Sequence, residues 1–510
     1  MALPSITFTR GTSGLGRPLA GEDHFSGMVF YIANANLPSG FSTSVREKTF
    51  FSLQDAEDAG ILDTHLNETK ATGSVQITGV GTNGDTLEVK VLEYDELNLT
   101  QSVSLGTYTK TASETTAANV ATALAAVINT GTATHGYTAS PSTDTVTITA
   151  REGLGIFLNS GTPISTTIVG GITRSITQFA SGVASDIDQL HYHISEFFRI
   201  QPKGVLYVGI YAPESGSYAF ADVATLFTYS SGKIRQIGVY VTGDTLDAAL
   251  VTALDAKIMT QAGLMRPASA VLTADFVGTA LSALPTLANN SDYRVTVDIA
   301  QDMGGKGYEL YKALNKTIGT MGALLGTISL AKVSESIAWV GKFDLSDGNE
   351  LETIGFGNGA LFSAQSTTLL DTLDGYKYVF LRKYENKSGS FWSDSETAIA
   401  TTSDFSQIEN VRTVDKAIRG IYANTLDLQN SPLQVKPDGT LFEDTIATFE
   451  EKTSLQLDEM VRNTEISAYS INIDPSQDVL TTSTITISVS IVPIGVARQI
   501  QFNVNLATSV

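Results

Sequence analysis

Two clusters of residues have types and spacing that could do chemistry. His191 and His193 form an H-x-H pair, which can bind a metal ion, but the surrounding sequence supplies no third-ligand pattern. Residues 304–307 read G-G-K-G between a predicted strand and a predicted helix, where glycine-rich turns can hold phosphate. Their spacing matches neither G-x-G-x-x-G nor a P-loop. We therefore interpret both clusters as structural.

The composition excludes several other kinds of site. The 510 residues include no cysteine, which excludes disulfides, thiol catalysis and cysteine-bound zinc. Serine is abundant, but no G-x-S-x-G motif occurs. The formal net charge of -21 and the absence of a basic run argue against nucleic-acid binding. We predict no enzyme activity, no cofactor and no metal.

The sequence also indicates where the protein folds. The first residues, MALPSITFTRG, lack the charged and apolar regions of a signal peptide. No stretch reaches the ~18 consecutive apolar residues of a membrane-spanning helix. We expect folding in a cytosol and no insertion into a membrane. Apolar residues make up 42% of the chain, enough for about two to four domains.

The middle of the chain alternates between apolar strands and amphipathic helices. This pattern predicts a mostly parallel sheet covered on both faces, joined by a strand at 27–33 from far upstream. The predicted strands are 204–212, 234–241, 268–276, 293–300 and 325–331. The predicted helices are 219–229, 246–262, 278–288 and 308–324.

Residues 69–181 interrupt this pattern. They are rich in Thr, Ser and Gly, and their strands alternate polar and apolar residues, as in a half-exposed antiparallel sheet. The predicted elements are strands at 72–79, 84–94, 102–109 and 144–150 and a helix at 114–130. Because sheet strands precede and follow it, we interpret this segment as a β-rich insertion into the α/β domain.

Both chain ends are strand-like. Ile6 and Phe8 alternate with polar residues before the glycine-rich stretch 11–16. At the other end, a second period-two pattern contains Ile500, Phe502, Val504 and Leu506. A terminal strand on a flexible tether can complete the sheet of a neighbouring subunit. Pairing of both termini within their own subunit is the alternative.

The last third also contains two predicted helices, at 415–426 and 444–463, and a predicted strand at 485–491. Residues 441–465 hold seven acidic and two basic side chains. Glu451 and Asp458 are seven residues apart and therefore on one side of the helix, away from its apolar stripe. The default interpretation is that these charges face solvent. The more specific interpretation is that they bind a basic partner by electrostatic attraction.

Three segments of the last third resemble contractile-tail sheath proteins. They are GYKYVFLRKYENKSGSFWSDSETA (375–398), TTSDFSQIENVRTVDKAIRGIYANTL (401–426) and the strand-rich stretch 465–506. The second contains an R-x-x-D-K-A helix start formed by Arg412, Asp415, Lys416 and Ala417. The resemblance covers about the last 150 residues well and the N-terminal arm moderately, and it is strongest to a divergent branch found in phages and phage-derived loci.

The resemblance implies a polymer. Sheath subunits stack as hexameric rings around an inner tube, exchange terminal strands with neighbours, and contract to drive the tube through a target envelope. It implies inter-subunit arms at Ile6, Phe8, Ile500, Phe502, Val504 and Leu506. It implies tube-facing residues at Glu450, Glu451, Asp458 and Glu459. The implied partners are further copies of the chain, an inner tail tube protein, and baseplate and tail terminator proteins, in a phage tail or injection machine assembled in bacterial cytoplasm.

The expected fold is therefore a multidomain α/β and α+β protein in four parts. Residues 1–26 form an arm and a segment completing the C-terminal domain, 27–68 and 182–354 the middle α/β domain, 69–181 the inserted β-rich decoration module, and 355–510 the C-terminal polymerisation domain with its arm. Two other functions remain open. One is another virion or tail component, and the other is a carbohydrate-binding surface protein, which predicts exposed aromatic clusters in 69–181.

Overall fold

The fold is described from a computed structural model, which covers residues 21–94, 100–504 and 506. The strands are β1 (Phe25–Tyr31), β2 (Glu47–Phe50), β3 (Thr72–Val80), β4 (Thr86–Tyr94), β5 (Thr100–Thr109), β6 (Thr138–Ser142), β7 (Thr145–Thr149), β8 (Ile164–Val169), β9 (Ile172–Ala180), β10 (Val205–Tyr211), β11 (Gln236–Thr245), β12 (Ser269–Asp275), β13 (Ser291–Asp292), β14 (Val295–Asp298), β15 (Ala300–Asp302), β16 (Ile354–Phe356), β17 (Tyr378–Val379), β18 (Leu381–Tyr384), β19 (Lys387–Trp392), β20 (Ala398–Ile399), β21 (Ile466–Asn472) and β22 (Ser488–Pro493).

The helices alternate with these strands through the body of the chain. They are α1 (Leu53–Asp58), α2 (Ala117–Thr130), α3 (Thr132–His135), α4 (Asp186–Ile200), α5 (Ala221–Tyr229), α6 (Ala248–Gly263), α7 (Lys306–Leu314), α8 (Met321–Leu330), α9 (Thr367–Gly375), α10 (Ile408–Thr425), α11 (Glu443–Arg462) and α12 (Val479–Thr482). No helix in the described ranges is long and apolar enough to cross a membrane.

A seven-stranded sheet forms the body, in the order β17-β14-β12-β11-β1-β10-β2. All its pairings are parallel except that of β2 with β10. The central strands are buried on both faces because α4 with α8, and α5 with α6, pack against the sheet. The predicted parallel sheet and the contribution of the upstream strand are confirmed, and the chain is a mixed α/β protein with several sheets.

Three predicted elements of the body are wrong. Residues 278–288 contain only a short 3-10 turn, Leu281–Ala283. Residues 325–331 belong to α8 instead of a strand, because that helix is buried on all sides and its apolar run hides the helical period. The predicted helix 308–324 is two helices, since Asn315 takes a left-handed conformation (φ 49°) and ends the first.

Residues 72–180 fold around a core of their own. Sheets β6-β7-β3-β9 and β5-β4-β8 enclose helix α2, and the strands β6, β8 and β9 were absent from the sequence prediction. The two ends of this β-rich module meet, because Thr69 and Val183 exchange backbone hydrogen bonds of 2.8 Å. Tyr108 and Tyr137, two of its few aromatic residues, are buried.

The C-terminal region (residues 405–504) contains α10, α11 and the two-stranded sheet β21–β22. Upstream of it, residues 354–408 contribute side chains to the large body core, across the expected boundary at 354/355. The predicted strand at 485–491 is shifted to 488–493. Residues 500–504 and 506 form no strand within the described chain, and Ile6 and Phe8 lie outside the described residues.

Candidate functional site

The R-x-x-D-K-A segment fixes helix α10 to the body. Asp415 lies buried against Arg294 and accepts two hydrogen bonds from it, of 2.8 and 3.0 Å. Arg412 donates to the backbone carbonyl oxygens of Ala331 and Lys332 just past the end of α8, where carbonyls lack helical partners. The motif therefore fixes α10 against the body.

Lys416 and Arg419 on α10 hold the start of the described chain. The Lys416 ammonium is 2.6 Å from Asp23 and 2.6 Å from Glu465, and Arg419 is 3.0 Å from Asp23. Burial alone would raise the pKa of Asp23, but the charges of Lys416 and Arg419 outweigh it and lower that pKa. These ion pairs therefore fix Asp23 against α10.

The sheet β21–β22 has two open edges within the described residues. Its strands pair antiparallel with each other, with Ser470 opposite Ser490, and with no other strand. Its inner face presents Ile471, Val489 and Ile491, which pack only partly against the small core of Ala417, Leu457, Met460 and Ile466. An isolated two-stranded sheet is marginally stable in water, so these edges are suited to accept further strands.

The C-terminal segment is anchored and then exposed. Arg498 is 3.0 Å from Asp394 and 2.5 Å from Glu409, which ties the chain to the start of α10. Beyond that anchor, the four predicted arm residues lie in solvent. Each has at least 69% of its surface exposed: Ile500, Phe502, Val504 and Leu506. Four large apolar side chains this exposed indicate a missing partner.

The acidic helix α11 turns its four predicted contact residues outward. Phe449, Thr453, Leu457 and Met460 are its buried residues. The exposed carboxylates are Glu450, Glu451, Asp458 and Glu459. Asp458 accepts a 2.6 Å hydrogen bond from the Tyr469 hydroxyl, which ties α11 to β21. The remaining three make no ion pair among the described residues, so their charge is open to a partner.

The H-x-H pair and the G-G-K-G turn, the two clusters first considered for chemistry, make their contacts with other residues of the same chain. His193 is buried between Phe30 and Tyr240, and burial lowers its pKa to about 3. His191 pairs with Glu57. The G-G-K-G turn begins α7, and its backbone N–H groups donate to carboxylates of the same chain in place of a phosphate.

One group of possible metal ligands was missed from the sequence. Asp63, His65 and Asp188 place ligand atoms within 4.8 Å of one another. His65 Nδ1 is 2.6 Å from Asp188, and the Lys306 ammonium is 3.0 Å from Asp63. The chain's own cations therefore already neutralise these carboxylates. No sequence signal points to this group, because its members come from segments 123 residues apart.

The chain matches both sequence profiles of one family. The profile described as DUF2586, N-terminal domain, matches residues 77–396, and DUF2586, C-terminal domain, matches residues 404–510. No curated protein sequence matches.

Several solved structures are similar to the chain. A PVC sheath complex of an extracellular contractile injection system, in the contracted state, is 12% identical, with 63% of this chain and 81% of that chain covered and a TM-score of 0.42. A chain of the anti-feeding prophage baseplate is 12% identical, with 62% and 80% covered and a TM-score of 0.42. A sheath tail protein from Listeria innocua is 11% identical, with 94% and 93% covered and a TM-score of 0.39.

Proposed function

We propose that this chain, which belongs to the DUF2586 family, is the structural subunit of a contractile tail sheath. Copies stack as hexameric rings around an inner tube and stay connected through exchanged terminal strands while the sheath contracts. Baseplate and terminator proteins cap the stack. The machine is a phage tail or a related injection system, assembled in bacterial cytoplasm.

One observation carries the proposal. The two-stranded sheet β21–β22 has open edges, and the same chain ends in an exposed, alternating apolar segment. Adding residues 500–506 of one copy to the sheet of another copy would pair an open edge of that sheet and bury the apolar side chains of the segment. Each fully buried apolar side chain contributes about 1.5–3 kcal/mol, and each added backbone hydrogen bond about 0.5–1.5 kcal/mol.

The remaining surfaces take roles consistent with such a polymer. Glu450, Glu451, Asp458 and Glu459 face the inner tube, whose contact surface is then basic. The β-rich module faces outward, since its ends meet at Thr69 and Val183 and it packs around a separate core. We assign Ile6 and Phe8, which lie outside the described residues, to a second inter-subunit arm.

Site-directed crosslinking tests the strand exchange, and the absence of cysteine makes it clean. If Ile500, Phe502 and Val504 face inward, Asn503 lies on the solvent face with Ser470 and Ser490. Side chains directly across a strand pair have Cβ atoms about 4.5–5.5 Å apart. Mixing Asn503→Cys with Ser470→Cys or Ser490→Cys, one cysteine per copy, should give disulfide-linked dimers under mild oxidation.

The matched control places the cysteine one residue earlier. Phe502→Cys points to the opposite face and should crosslink poorly with either partner, because a one-residue shift reverses the side-chain direction. Equal crosslinking from Asn503→Cys and Phe502→Cys would show a mobile tail without register. No crosslink with either edge would refute the exchange.

A further inference from the structure

A pair of carboxyl groups lies at the start of helix α7, away from the assembly surfaces. Asp302 ends β15, and Glu350 reaches the same point from residues 344–352, here called the Glu350 loop. The two side chains are hydrogen-bonded to each other. A Cβ atom at Gly305 would lie 2.6 Å from Asp302 Oδ2 and 2.5 Å from Glu350 Oε2, so only glycine fits between them and the helix.

Backbone groups converge on this pair. The N–H groups of Gly304, Gly305 and Gly307 donate to Asp302 at 3.1–3.2 Å. The N–H of Lys306 donates to both oxygens of Glu350, at 3.1 and 3.2 Å. These are the helix N–H groups that lack partners within α7. Closure of the Glu350 loop therefore completes the start of that helix.

Among the described residues, no Lys or Arg side chain forms an ion pair with Asp302 or Glu350. Arg199 is 2.6 Å from Glu196 and 3.9 Å from Asp347. The Lys306 ammonium turns away to Asp63 and Glu309. The titratable and charged groups surrounding the pair, on α4, α7, the Glu350 loop and the segment before the β-rich module, are Tyr192, Glu196, Arg199, Lys306, Glu309, Asp347, His191 and Asp63.

The closed loop also carries backbone strain and an open flank. Leu351, next to Glu350, is held in a left-handed conformation (φ 56°), which a leucine rarely adopts. The Tyr192 hydroxyl is buried beside Asp302 and has no hydrogen-bond partner among the described residues, and Tyr192 lines a cleft of about 540 Å³ next to the pair. Glu350 lines the same cleft, so water can exchange protons with the pair while the loop is closed.

We propose that the Asp302–Glu350 pair is a proton-dependent latch, which keeps the Glu350 loop closed on α7 while the two carboxyls share a proton. Loss of that proton places two negative charges in contact and opens the loop. The loop links the body to the β18–β19 hairpin, because Ser390 donates to the Leu351 carbonyl at 2.6 Å and Lys383 lies 2.9 Å from Glu352. Opening therefore breaks these two contacts with the hairpin.

The direction of the pH effect follows from the pair. Burial and the charge of Asp302 raise the pKa of Glu350 to about 8 in the closed loop, from its usual 4.5. The closed form therefore binds the proton more strongly than the open form. Closure is favoured at low pH and weakens as pH rises through that window, by up to about tenfold per pH unit for a single proton.

Hydrogen exchange of the full chain tests the latch. Protection factors of amides 344–352, corrected for intrinsic exchange, are compared about two pH units below and above the raised pKa. We expect protection to fall at least tenfold on going to the higher pH. Glu350→Gln, which mimics the protonated carboxyl, should keep the loop protected at both pH values. Glu385→Gln, at an exposed position in the turn of the β18–β19 hairpin, should behave like the original chain.

Two results would overturn the latch. One is loop protection in the original chain that does not change between the two pH values. The other is a Glu350→Gln chain whose loop still opens at the higher pH, which would assign the change to another group. If Glu350→Gln fails to fold, Asp302→Asn, which removes the other carboxyl charge of the pair, takes its place and should likewise keep the loop protected at both pH values; a loop that still opens at the higher pH would overturn the latch.

Discussion

The β-rich module and the C-terminal region have similar lengths but differ in how fully their apolar side chains are buried within the subunit. Among the described residues, the module (72–180) contributes 22 buried apolar side chains to one core. The C-terminal region (405–504) has two separate clusters of four. The module leaves few apolar side chains exposed among its described residues, whereas four apolar side chains after Arg498 are each at least 69% exposed. In the proposed sheath subunit, the module is complete by itself and the C-terminal region is completed by neighbouring copies.

Removing the C-terminal arm should have the largest effect on assembly. Deleting residues 499–510 keeps the Arg498 ion pairs with Asp394 and Glu409. Because the described side chains of the deleted segment lie in solvent, we expect an unchanged melting temperature and complete loss of polymers, detected by light scattering. Polymers of normal length from the truncated chain would show that the arm does not connect subunits.

Two single substitutions to alanine, one in each region, test the difference between the regions. Leu124 is fully buried in the module, and Leu124→Ala should lower the free energy of unfolding by about 2–5 kcal/mol. Phe502 is 83% exposed, so Phe502→Ala should leave the monomer within about 0.5 kcal/mol. In the polymer, loss of a buried Phe502 should raise the critical concentration roughly 10- to 100-fold.

Chemical unfolding of the monomer and sedimentation of the polymer provide the two measurements. A Phe502→Ala chain that assembles normally would contradict the proposed burial of the arm. Equal destabilisation of the monomer by both substitutions would show that the C-terminal segment packs within its own subunit.

The smallest expected effect concerns α11. Glu451→Lys reverses a charge that has no ion-pair partner in the described chain, so the monomer should keep its stability. We expect weaker co-assembly with the inner tube, detected by cosedimentation, with assembly of the chain alone unaffected. Glu385→Lys, which reverses the charge of an exposed acid outside α11 that has no ion pair among the described residues, provides the matched control. Unchanged tube binding by Glu451→Lys would show that the acidic face of α11 does not bind the tube.

Much of the body was predictable because its physical signal is local. The strands β1, β10, β11 and β12 are continuous apolar runs, and such runs indicate a sheet buried on both faces. The same property misled the prediction for α8, since a helix buried on every side also reads as a continuous apolar run. Within the module, β6 and β8 are short, and β6, β8 and β9 are rich in Thr and Ser, so their alternation is weak.

The site was predictable as a pattern but not as a set of contacts. The R-x-x-D-K-A segment and the alternating C-terminal residues stand out in the sequence. The partner of Asp415, however, is Arg294, which lies 121 residues away. Likewise, no local pattern pairs Asp302 with Glu350 or joins Asp23 to Lys416. These contacts depend on how the sheet brings distant segments together.

Negative-stain electron microscopy of the purified full chain tests the central claim most directly. A subunit that is incomplete alone and completed by its neighbours should form hollow cylinders with regular cross-striations as the concentration rises. Uniform particles of single-chain size at every concentration, with and without the inner tube protein, would contradict the account.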